Sequence, residues 1–469
     1  MYEYSMNVLV FVSDALRPDH LSCYGHHRPT SPALDQLASD GVLFENAFSQ
    51  AIWTVPSSGS ILTSQYPLTH SCLSLDRKLS EHSPPLSVPL KDRGFETGLV
   101  TDMFQIQEKR GFGRGFDSYR YLPGQGRGRG IDSPETVADE AIDWLERNAD
   151  EDFFLFVWTS ATHTPYQTPR EPEYADPSHH IDGSVRSLMG LDREHVEHVR
   201  DLYDDTITYA DDQFGRVVDA LRELEVYDDT HVVFTADHGE VFDEHARFEH
   251  ARFDSLLKKL IPQNIQDDKQ IFEPGSHVGH QALLPFDELV RVPLVMKFPE
   301  GEFAGERVDH SAQTIDIGPT IFDTMGAEVP ETMQGESLLP TVRSDRAVNE
   351  YVCSTSSIIR SHVYYHSVRG DDHKYVKIDS DGLTLDKLRF NPPKVLQAQL
   401  FKSLHRDDLL LALPDETSDV IENGTKLTEE YRREFERWEK AVRSGGSLFP
   451  ERQLDEDAKE QLRQLGYLN

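Results

Sequence analysis

The composition of this 469-residue chain indicates a globular and strongly acidic protein. Hydrophobic residues make up 38% of the chain, whereas Asp and Glu total 82 against 47 Lys and Arg, for a formal net charge of −35. The acidic residues are spread along the whole chain, so they indicate a charged surface and not an acidic tail. Such a surface repels phosphates and argues against nucleic acid as a partner. It is typical of proteins from salt-loving organisms, where salt screens self-repulsion.

The sequence also predicts a cytoplasmic protein without a membrane span. The apolar run near the N-terminus, residues 8–12, is too short for a secretory signal or a transmembrane helix. The three cysteines, Cys23, Cys72 and Cys353, are an odd number without metal-ligand spacing, which fits a reducing compartment.

The first part of the chain alternates predicted strands and helices. Residues 7–12 form an apolar run, typical of a buried strand, that ends at Ser13 and Asp14. Residues 53–63 predict a loop that enters a short helix, with Thr54 just before the helix N-terminus. Further strands are predicted at 42–49, 97–101 and 152–160, and further helices at 31–38, 87–93 and 134–148.

The alternation continues and then changes character. Residues 192–224 predict one long helix or two in succession, and buried strands are predicted at 231–234 and 289–296. This order predicts an α/β fold with a mostly parallel sheet and helices on both faces. Charged residues 246–276 are interpreted as an insertion. We predict a catalytic domain over 1–346 and a smaller subdomain over 347–469 with short antiparallel strands, at 351–369 and 374–378, and a terminal helix.

Three potential metal ligands follow predicted strands. Asp14 follows the first strand, and Asp237 and His238 follow the strand at 231–234. In an open α/β sheet, the carboxyl ends of the strands form the edge where ligands bind. Two carboxylates and one imidazole suit one divalent cation. The alternative for either aspartate alone is a helix N-cap.

Motifs along the whole chain resemble the sulfatase family within the alkaline phosphatase superfamily. Each motif is weak alone, but their joint order is specific. The resemblance implies an alkaline-phosphatase-like α/β/α sandwich with a mostly parallel sheet and a smaller C-terminal α+β subdomain. The matching motifs are Asp14-x-x-Arg17-x-Asp19, Thr54-x-Pro56-Ser57, His163-x-Pro165-Tyr166, Asp237-His238-Gly239-Glu240, Gly279-His280, Arg291-Val292-Pro293 and Leu462-x-x-Leu465-Gly466-Tyr467-Leu468.

The resemblance also implies roles for individual residues. Asp14, Asp237 and His238 would bind one divalent metal ion, with Ca, Mg or Mn as the candidates. Thr54 would be the nucleophile and would share the metal.

Three further residues are implied in substrate handling. His163 and His280 would be catalytic groups that contact the anion or the leaving group, and Tyr166 would contribute to substrate binding. The alternative for either histidine is a structural role.

Four departures from the family pattern concern the nucleophile, the residue four positions after it, the residue after the first ligand and the long helix. Sulfatases carry Cys or Ser where this chain has Thr54, and they oxidise it to formylglycine; Thr cannot become that aldehyde, so no formylglycine is expected. The arginine four positions after the nucleophile is Ser58 here, and a second aspartate after Asp14 is Ala15. In the long helix, Arg216 replaces a ligand of two-metal relatives, which favours one metal.

These departures shift the expected chemistry from sulfur towards phosphorus. A Thr alkoxide can attack phosphorus, and water can then hydrolyse the phospho-threonine. A Thr sulfate lacks the hemiacetal exit of the formylglycine route. We therefore interpret the chain as a haloarchaeal, Thr-nucleophile hydrolase of sulfate or phosphate esters that favours phosphorus esters or phosphonates. Its expected partners are small-molecule or glycan anionic esters; the alternatives are a phospho-alcohol transferase acting on glycans or lipids, or an inert anion- or glycan-binding pseudoenzyme.

Overall fold

A computed structural model describes most of the chain. It covers residues 6–75, 77–122, 133–184, 191, 193–245, 278–279, 284–357, 363–380, 408–421 and 425–443. The predicted insertion at 246–276, His280 and the terminal Leu462–Leu468 motif lie outside these described residues.

Eight strands form one large, mostly parallel sheet. Its strands are β1 (Asn7–Ser13), β2 (Val42–Phe48), β3 (Glu96–Thr101), β4 (Ser118–Tyr121), β5 (Phe153–Thr159), β6 (Thr230–Ala236), β9 (Arg291–Lys297) and β10 (Glu306–Gln313). Their order is β10-β2-β9-β6-β1-β5-β3-β4. Only β9 among them runs antiparallel to its neighbours. The central strands β1, β5 and β6 are buried along their whole length, as their apolar sequences require.

Helices flank this sheet in two groups. The described α-helices are α1 (Pro32–Asp40), α2 (Thr54–Thr63), α3 (Pro67–His70), α4 (Ser87–Lys91), α5 (Ser133–Asn148), α6 (Val196–Glu223), α7 (Asp287–Val290), α8 (Ile317–Thr324), α9 (Leu339–Ser344) and α10 (Lys426–Arg443). One group contains α1, α5 and α6, and the other contains α2, α3 and α8. The segment predicted as one or two helices is a single helix, α6. No described helix is both long and apolar enough to cross a bilayer.

A second, antiparallel sheet packs beside the first. It consists of β11 (Val352–Ser357), β12 (Val363–Arg369), β13 (His373–Ser380) and β14 (Asp408–Ala412), in chain order. Helix α10 covers it with Phe435 and Trp438. The expected fold class, a large mostly parallel sheet with a smaller antiparallel subdomain, is thus confirmed. The domain boundary at residue 346 stays a prediction.

The first strand of the second sheet is bonded to the segment that leads into α2. The Thr355 amide donates to the Gln50 carbonyl at 2.7 Å, and the Ser354 hydroxyl donates to the Ser49 carbonyl at 2.5 Å. This connection fixes the chain just before Thr54. A separate two-stranded ribbon, β7 (Val241–Phe242) with β8 (Val278–Gly279), follows the Asp237-His238 turn.

Candidate active site

Three neighbouring parallel strands end at the same edge of the large sheet. Ser13 at the end of β1 is in register with Ala236 of β6 and with Thr159 of β5. Asp14 and Asp237 therefore follow adjacent strand ends, as the sequence predicts. The segment after β5, which carries His163, starts at this edge too.

Asp14, Asp237 and His238 come together in a cluster without solvent exposure. His238 Nε2 lies 3.3 Å from Asp14 Oδ1 and 3.6 Å from Asp237 Oδ2. One ligand atom from each residue lies within 4.8 Å of the others, and all three side chains are 0% exposed. The arrangement suits a cation bound by two carboxylates and an imidazole.

Hydrogen bonds orient the cluster for a cation. The Gly239 carbonyl can only accept, so His238 Nδ1 donates to it at 2.7 Å, and Nε2 is the ring nitrogen that faces the carboxylates and would bind a cation held between them. Asp237 Oδ1 accepts the amides of Ala15 and His238 at 3.0 and 2.9 Å. Asp237 Oδ2 is buried and accepts no hydrogen bond from the described residues. These features fit a divalent metal ligand set.

The alternative of helix N-caps is wrong for both aspartates. The first helical turn after Asp14 begins only at Pro18, with Arg17 in the cap position. Asp237 is followed by the β7 ribbon, and its oxygen bonds the amide of Ala15, 222 residues away. Both carboxylates are thus directed into the cluster and not along a helix.

The charges in the cluster are strongly coupled. Burial raises the pKa of Asp237 to about 7, and the Asp14 charge adds to this effect. Burial lowers the pKa of His238, but Asp237 and Asp14 outweigh it and raise that pKa to about 9. Two buried carboxylates in one cluster favour a positive charge between them. A divalent cation would supply that charge without protonation of the imidazole.

Thr54 is the first residue of α2, so the helix begins one residue earlier than the sequence predicts. Trp53 occupies the extended N-cap position, and no side chain caps the helix there. The Thr54 hydroxyl is instead directed at the cluster, with Oγ1 3.4 Å from Asp14 Oδ1 and 3.5 Å from His238 Nε2. The helix N-terminus therefore presents the hydroxyl to the cluster in a region of positive potential.

A histidine packs tightly beneath α2. A Cβ atom on Gly59 would lie 2.4 Å from His70 Cε1, so only glycine fits this position. His70 Nδ1 accepts the Cys72 amide at 3.1 Å, and Nε2 lies 3.2 Å from the Ser60 hydroxyl. Burial lowers the pKa of His70 to about 3, so the ring is neutral. This contact fixes the helix that carries Thr54.

The two substituted positions of the family pattern have local structural roles. The Ser58 hydroxyl donates to the Thr54 carbonyl at 2.5 Å within α2 and supplies no charge to the site. Ala15 has a φ of 62°, a left-handed conformation that is uncommon for alanine. The Tyr203 hydroxyl fixes this turn, since it donates to the Ala15 carbonyl at 2.6 Å and accepts the Arg17 amide at 3.0 Å.

His163 and Tyr166 both interact with Glu240, which follows Asp237 and His238 in the chain. His163 Nδ1 donates to the Thr164 carbonyl at 2.8 Å. The fully buried Tyr166 hydroxyl donates to Glu240 Oε2 at 2.8 Å. Burial raises the pKa of Glu240, and the charges of His163 and His238 offset part of that effect.

Glu240 and Tyr203 are the site residues that sequence reasoning missed. Glu240 is the last residue of the Asp237-His238-Gly239-Glu240 motif, so its place in the sequence could have indicated that it belongs to the site. Tyr203 lies in the middle of α6, where an aromatic residue at a buried position indicates only core packing. His280 lies outside the described residues, so its role stays a prediction.

Arg17 and Asp19 form an ion pair in the loop after β1. Arg17 donates to Asp19 through Nε and Nη2 at 2.9 and 2.7 Å, and through Nη1 to Glu244 at 2.7 Å. Arg17 is buried, but the Asp19 side chain is 53% exposed. The pair therefore holds the loop in place at the edge of the site, where Asp19 contacts solvent.

Family models match most of the chain. The model described as Sulfatase matches residues 6–327, and the model described as N-sulphoglucosamine sulphohydrolase, C-terminal, matches residues 275–382. An ulvan-active sulfatase of Formosa agariphila is 21% identical over 386 residues. That match covers 79% of this chain and 65% of the relative, so the chain spans just under two thirds of its length.

Solved structures share the fold. The phosphonate monoester hydrolase of Agrobacterium radiobacter has a TM-score of 0.65 at 19% identity, covering 94% of this chain and 95% of its own. The protein BT4656, solved with its substrate D-glucosamine-2-N,6-O-disulfate, has a TM-score of 0.66 at 16% identity, covering 94% and 98%. At these identities the likeness establishes the fold alone.

Proposed function

The chain belongs to the sulfatase family of ester hydrolases, and on that premise we propose that it cleaves anionic esters with Thr54 as the nucleophile. The observation that supports this proposal most directly is the direction of the Thr54 hydroxyl. It lies 3.4 Å from Asp14 and 3.5 Å from His238, at the positive end of α2. Within this family, the proposed variant favours phosphorus esters or phosphonates over sulfate esters.

Asp14, Asp237, His238 and Thr54 would hold one divalent metal ion. Their burial, the direction of His238 Nε2 and the hydrogen-bond pattern of Asp237 support this assignment. Carboxylate and hydroxyl oxygens suit a hard cation, so Ca, Mg and Mn remain the candidates. When bound, such an ion lowers the pKa of a coordinated hydroxyl and neutralises charge on the reacting ester.

Thr54 Oγ1 would attack phosphorus while the bond from phosphorus to the leaving oxygen breaks. The proton that Thr54 loses would balance the proton that the leaving oxygen takes up to become an alcohol. Water would then cleave the phospho-threonine and restore the hydroxyl. The methyl group on Thr54 prevents oxidation to an aldehyde, which supports a phosphorus substrate and not the formylglycine route. Ser58 bonds within its own helix and adds no positive charge for the anion.

His163 would contact the anion or the leaving group through Nε2, because its Nδ1 is bonded to the Thr164 carbonyl. Tyr166, which the sequence places in substrate binding, would instead hold Glu240 in place, since its hydroxyl is bonded to Glu240 and its side chain is buried. His280 would be a second group that contacts the anion or the leaving group.

The substrate would be a small-molecule or glycan ester with a negative charge. Two classes of ester must be distinguished by experiment. They are sulfate esters, such as the sulfated sugar bound by BT4656, and phosphonate esters, such as those named for the Agrobacterium enzyme. The net charge of −35 supports a halophilic, haloarchaeal protein. The three cysteines without metal-ligand spacing support the proposed cytoplasmic location, which cell fractionation would test.

A substrate panel tests the proposal. Aryl sulfate, phosphomonoester, phosphodiester and phosphonate monoester would be compared as kcat/KM at high salt, with Ca, Mg and Mn in turn. The expected result is turnover of at least one phosphorus substrate above the sulfate, lost in Thr54→Ala. Faster cleavage of the aryl sulfate than of every phosphorus ester would contradict the phosphorus preference, and the absence of all turnover would favour a pseudoenzyme.

A further inference from the structure

A buried lysine of the second sheet is bonded to the short helix α7, and we propose that this residue, Lys374, is a positioning residue for both His238 and Thr54. Lys374 lies in β13, and its side chain is 1% exposed. Its ammonium group donates to the Pro285 carbonyl at 2.7 Å and to Asp287 Oδ1, at the start of α7, at 2.6 Å. The role deepens the proposed function, because it concerns the residues assigned there to the metal and to the nucleophile.

Lys374 is part of a buried network of charged side chains. Glu416, which follows β14, lies with Oε1 2.6 Å from Lys374 Nζ, and its Oε2 accepts the Asp287 amide at 2.6 Å. Arg369, at the end of β12, donates to Asp287 through Nε and Nη2 at 3.1 and 3.0 Å. Burial raises the pKa of Glu416, and Lys374 counteracts part of that rise, which leaves the pKa at about 7. Lys374 is therefore the group that both buried carboxylates share.

Helix α7 is bonded in turn to two parts of the candidate active site. The Gly239 amide, directly after His238, donates to the Leu289 carbonyl at 2.8 Å. The Ser49 amide, in the segment that leads into α2, donates to the Val290 carbonyl at 2.7 Å. Two consecutive carbonyls at the end of α7 thus hold the turn after β6 and the approach to the nucleophile helix.

The packing around α7 leaves little room for movement. A Cβ atom on Gly239 would lie 2.0 Å from the Glu288 carbonyl oxygen, so the turn packs directly on α7. The Arg369 guanidinium also lies 4.4 Å from the centre of the Phe48 ring, at the end of β2. A shift of α7 is therefore passed on both to the turn that carries His238 and to the approach to α2.

Hydrogen exchange measured by mass spectrometry tests this role without metal or substrate. The full chain is compared with Lys374→Met, which keeps an unbranched side chain and removes its charge and its bonds. We expect the Gly239 and Ser49 amides to exchange on the order of tenfold faster in the variant, because α7 is no longer held by the second sheet. Divalent metal affinity and kcat of the folded variant should each fall at least about tenfold.

Lys297→Met is the matched control, because Lys297 is also a buried lysine with three partners. Its ammonium group donates to the carbonyls of Tyr227, Asp228 and Thr230 at 2.6, 2.8 and 3.2 Å, at the opposite end of β9 from α7. This change should lower the free energy of unfolding. Exchange at the two amides, metal affinity and kcat should stay at wild-type values.

A second variant keeps the test decisive if Lys374→Met does not fold. Lys374→Met/Glu416→Gln removes one charge of each sign, leaves the Arg369–Asp287 pair and keeps an acceptor for the Asp287 amide. Exchange at the two amides that equals that of Lys297→Met, in a folded Lys374 variant, would overturn the proposal. Faster exchange with unchanged metal affinity and kcat would also overturn it, because Lys374 would then act on stability alone.

The proposed function and the role of Lys374 fail separately. Wild-type protein that neither binds metal nor turns over any ester would contradict the proposed function. The exchange comparison needs neither property, so it would still decide whether Lys374 holds the turn after β6 and the approach to α2.

Discussion

Thr54 Oγ1 lies 3.5 Å from His238 Nε2, although 184 residues separate them in the chain. The first turn of α2 and the end of β6 therefore meet at one point. Replacing Thr54 with alanine should abolish nearly all turnover while the fold is kept, because the change removes the hydroxyl that is directed at Asp14 and His238. Steady-state kinetics of the variant would measure the loss. Mass spectrometry of the wild-type protein after reaction with a slow substrate would locate a phosphoryl group on Thr54.

Thr63→Ala is the matched control for this prediction. Thr63 is a buried threonine in the same helix, and its hydroxyl donates only to the Gly59 carbonyl, at 2.6 Å. The control should lose a little stability and keep its turnover. Wild-type kcat in Thr54→Ala would show that the nucleophile assignment is wrong.

Asp237→Asn should remove both bound metal and activity. The amide keeps the size of the carboxylate, but it replaces one anionic oxygen with a donor that repels a cation. Metal content per chain, measured by elemental analysis after dialysis, should fall from one equivalent towards zero.

Asp211→Asn provides the comparison for Asp237→Asn. Asp211 is also buried, and its carboxylate accepts the amides of Ala33 and Leu34 at the start of α1 and not a metal. It should retain metal and kcat. A full equivalent of metal in Asp237→Asn, with unchanged turnover, would remove the proposed site.

Tyr166→Phe should destabilise the protein with little effect on KM. The change removes the hydroxyl that donates to buried Glu240 at 2.8 Å, and loss of a bond to a buried polar group costs about 1–3 kcal/mol. Urea unfolding would measure the free energy of unfolding. Tyr66→Phe, which removes a 3.1 Å bond to Gln313, is the control. A raised KM with an unchanged unfolding free energy would instead indicate direct contact with substrate.

Salt should stabilise the fold. With a net charge of −35, repulsion between surface carboxylates opposes folding, and the screening length falls from about 10 Å at 0.1 M to about 3 Å at 1 M. The melting temperature should therefore rise between these concentrations. Since screening depends on ionic strength, chloride and nitrate should act alike at the lower end. A flat or falling melting temperature in both salts contradicts the halophilic interpretation.

His231 should make the protein sensitive to acid. It is fully buried in β6 against Phe298, and neither ring nitrogen has a hydrogen-bond partner among the described residues. Burial, with a smaller contribution from Lys297, lowers its pKa to about 3. The unfolded chain binds a proton near pH 6.5 that the folded chain excludes, so stability falls as pH drops below that value, by up to about 1.4 kcal/mol per unit.

His231→Phe keeps an aromatic ring in this position and removes the proton uptake. The variant should lose less free energy of unfolding than the wild type when the pH is lowered from about 7 to about 5. Exposed His82→Gln should behave as the wild type does. Parallel pH profiles for His231→Phe and the wild type would show that the buried ring does not control this loss.

The sequence indicated the centre of the large sheet but not its borders. β1, β5 and β6 are uninterrupted apolar runs because both of their faces are buried, and Asp14 and Asp237 follow them directly. The edge strand β10 was missed because half of it is solvated and its sequence, Glu306–Gln313, is largely polar. Local patterns report burial, so they are weakest where a strand has only one neighbour.

The same reasoning explains what was found in the candidate site. Asp14, Asp237 and His238, the proposed ligands, follow strand ends, so their proximity could be predicted. The direction of the Thr54 hydroxyl, the bond from Tyr166 to Glu240 and the turn fixed by Tyr203 depend on contacts between distant segments, which local sequence patterns do not contain.

The bonds between β11 and the segment before α2 also bear on how the protein is made. Ser354 is 305 residues downstream of Ser49, whose carbonyl accepts its hydroxyl. A chain emerging from the ribosome presents Thr54 early but receives this support only after β11 has been synthesised. The segment that leads into α2 therefore gains these two bonds only after most of the polypeptide has been made.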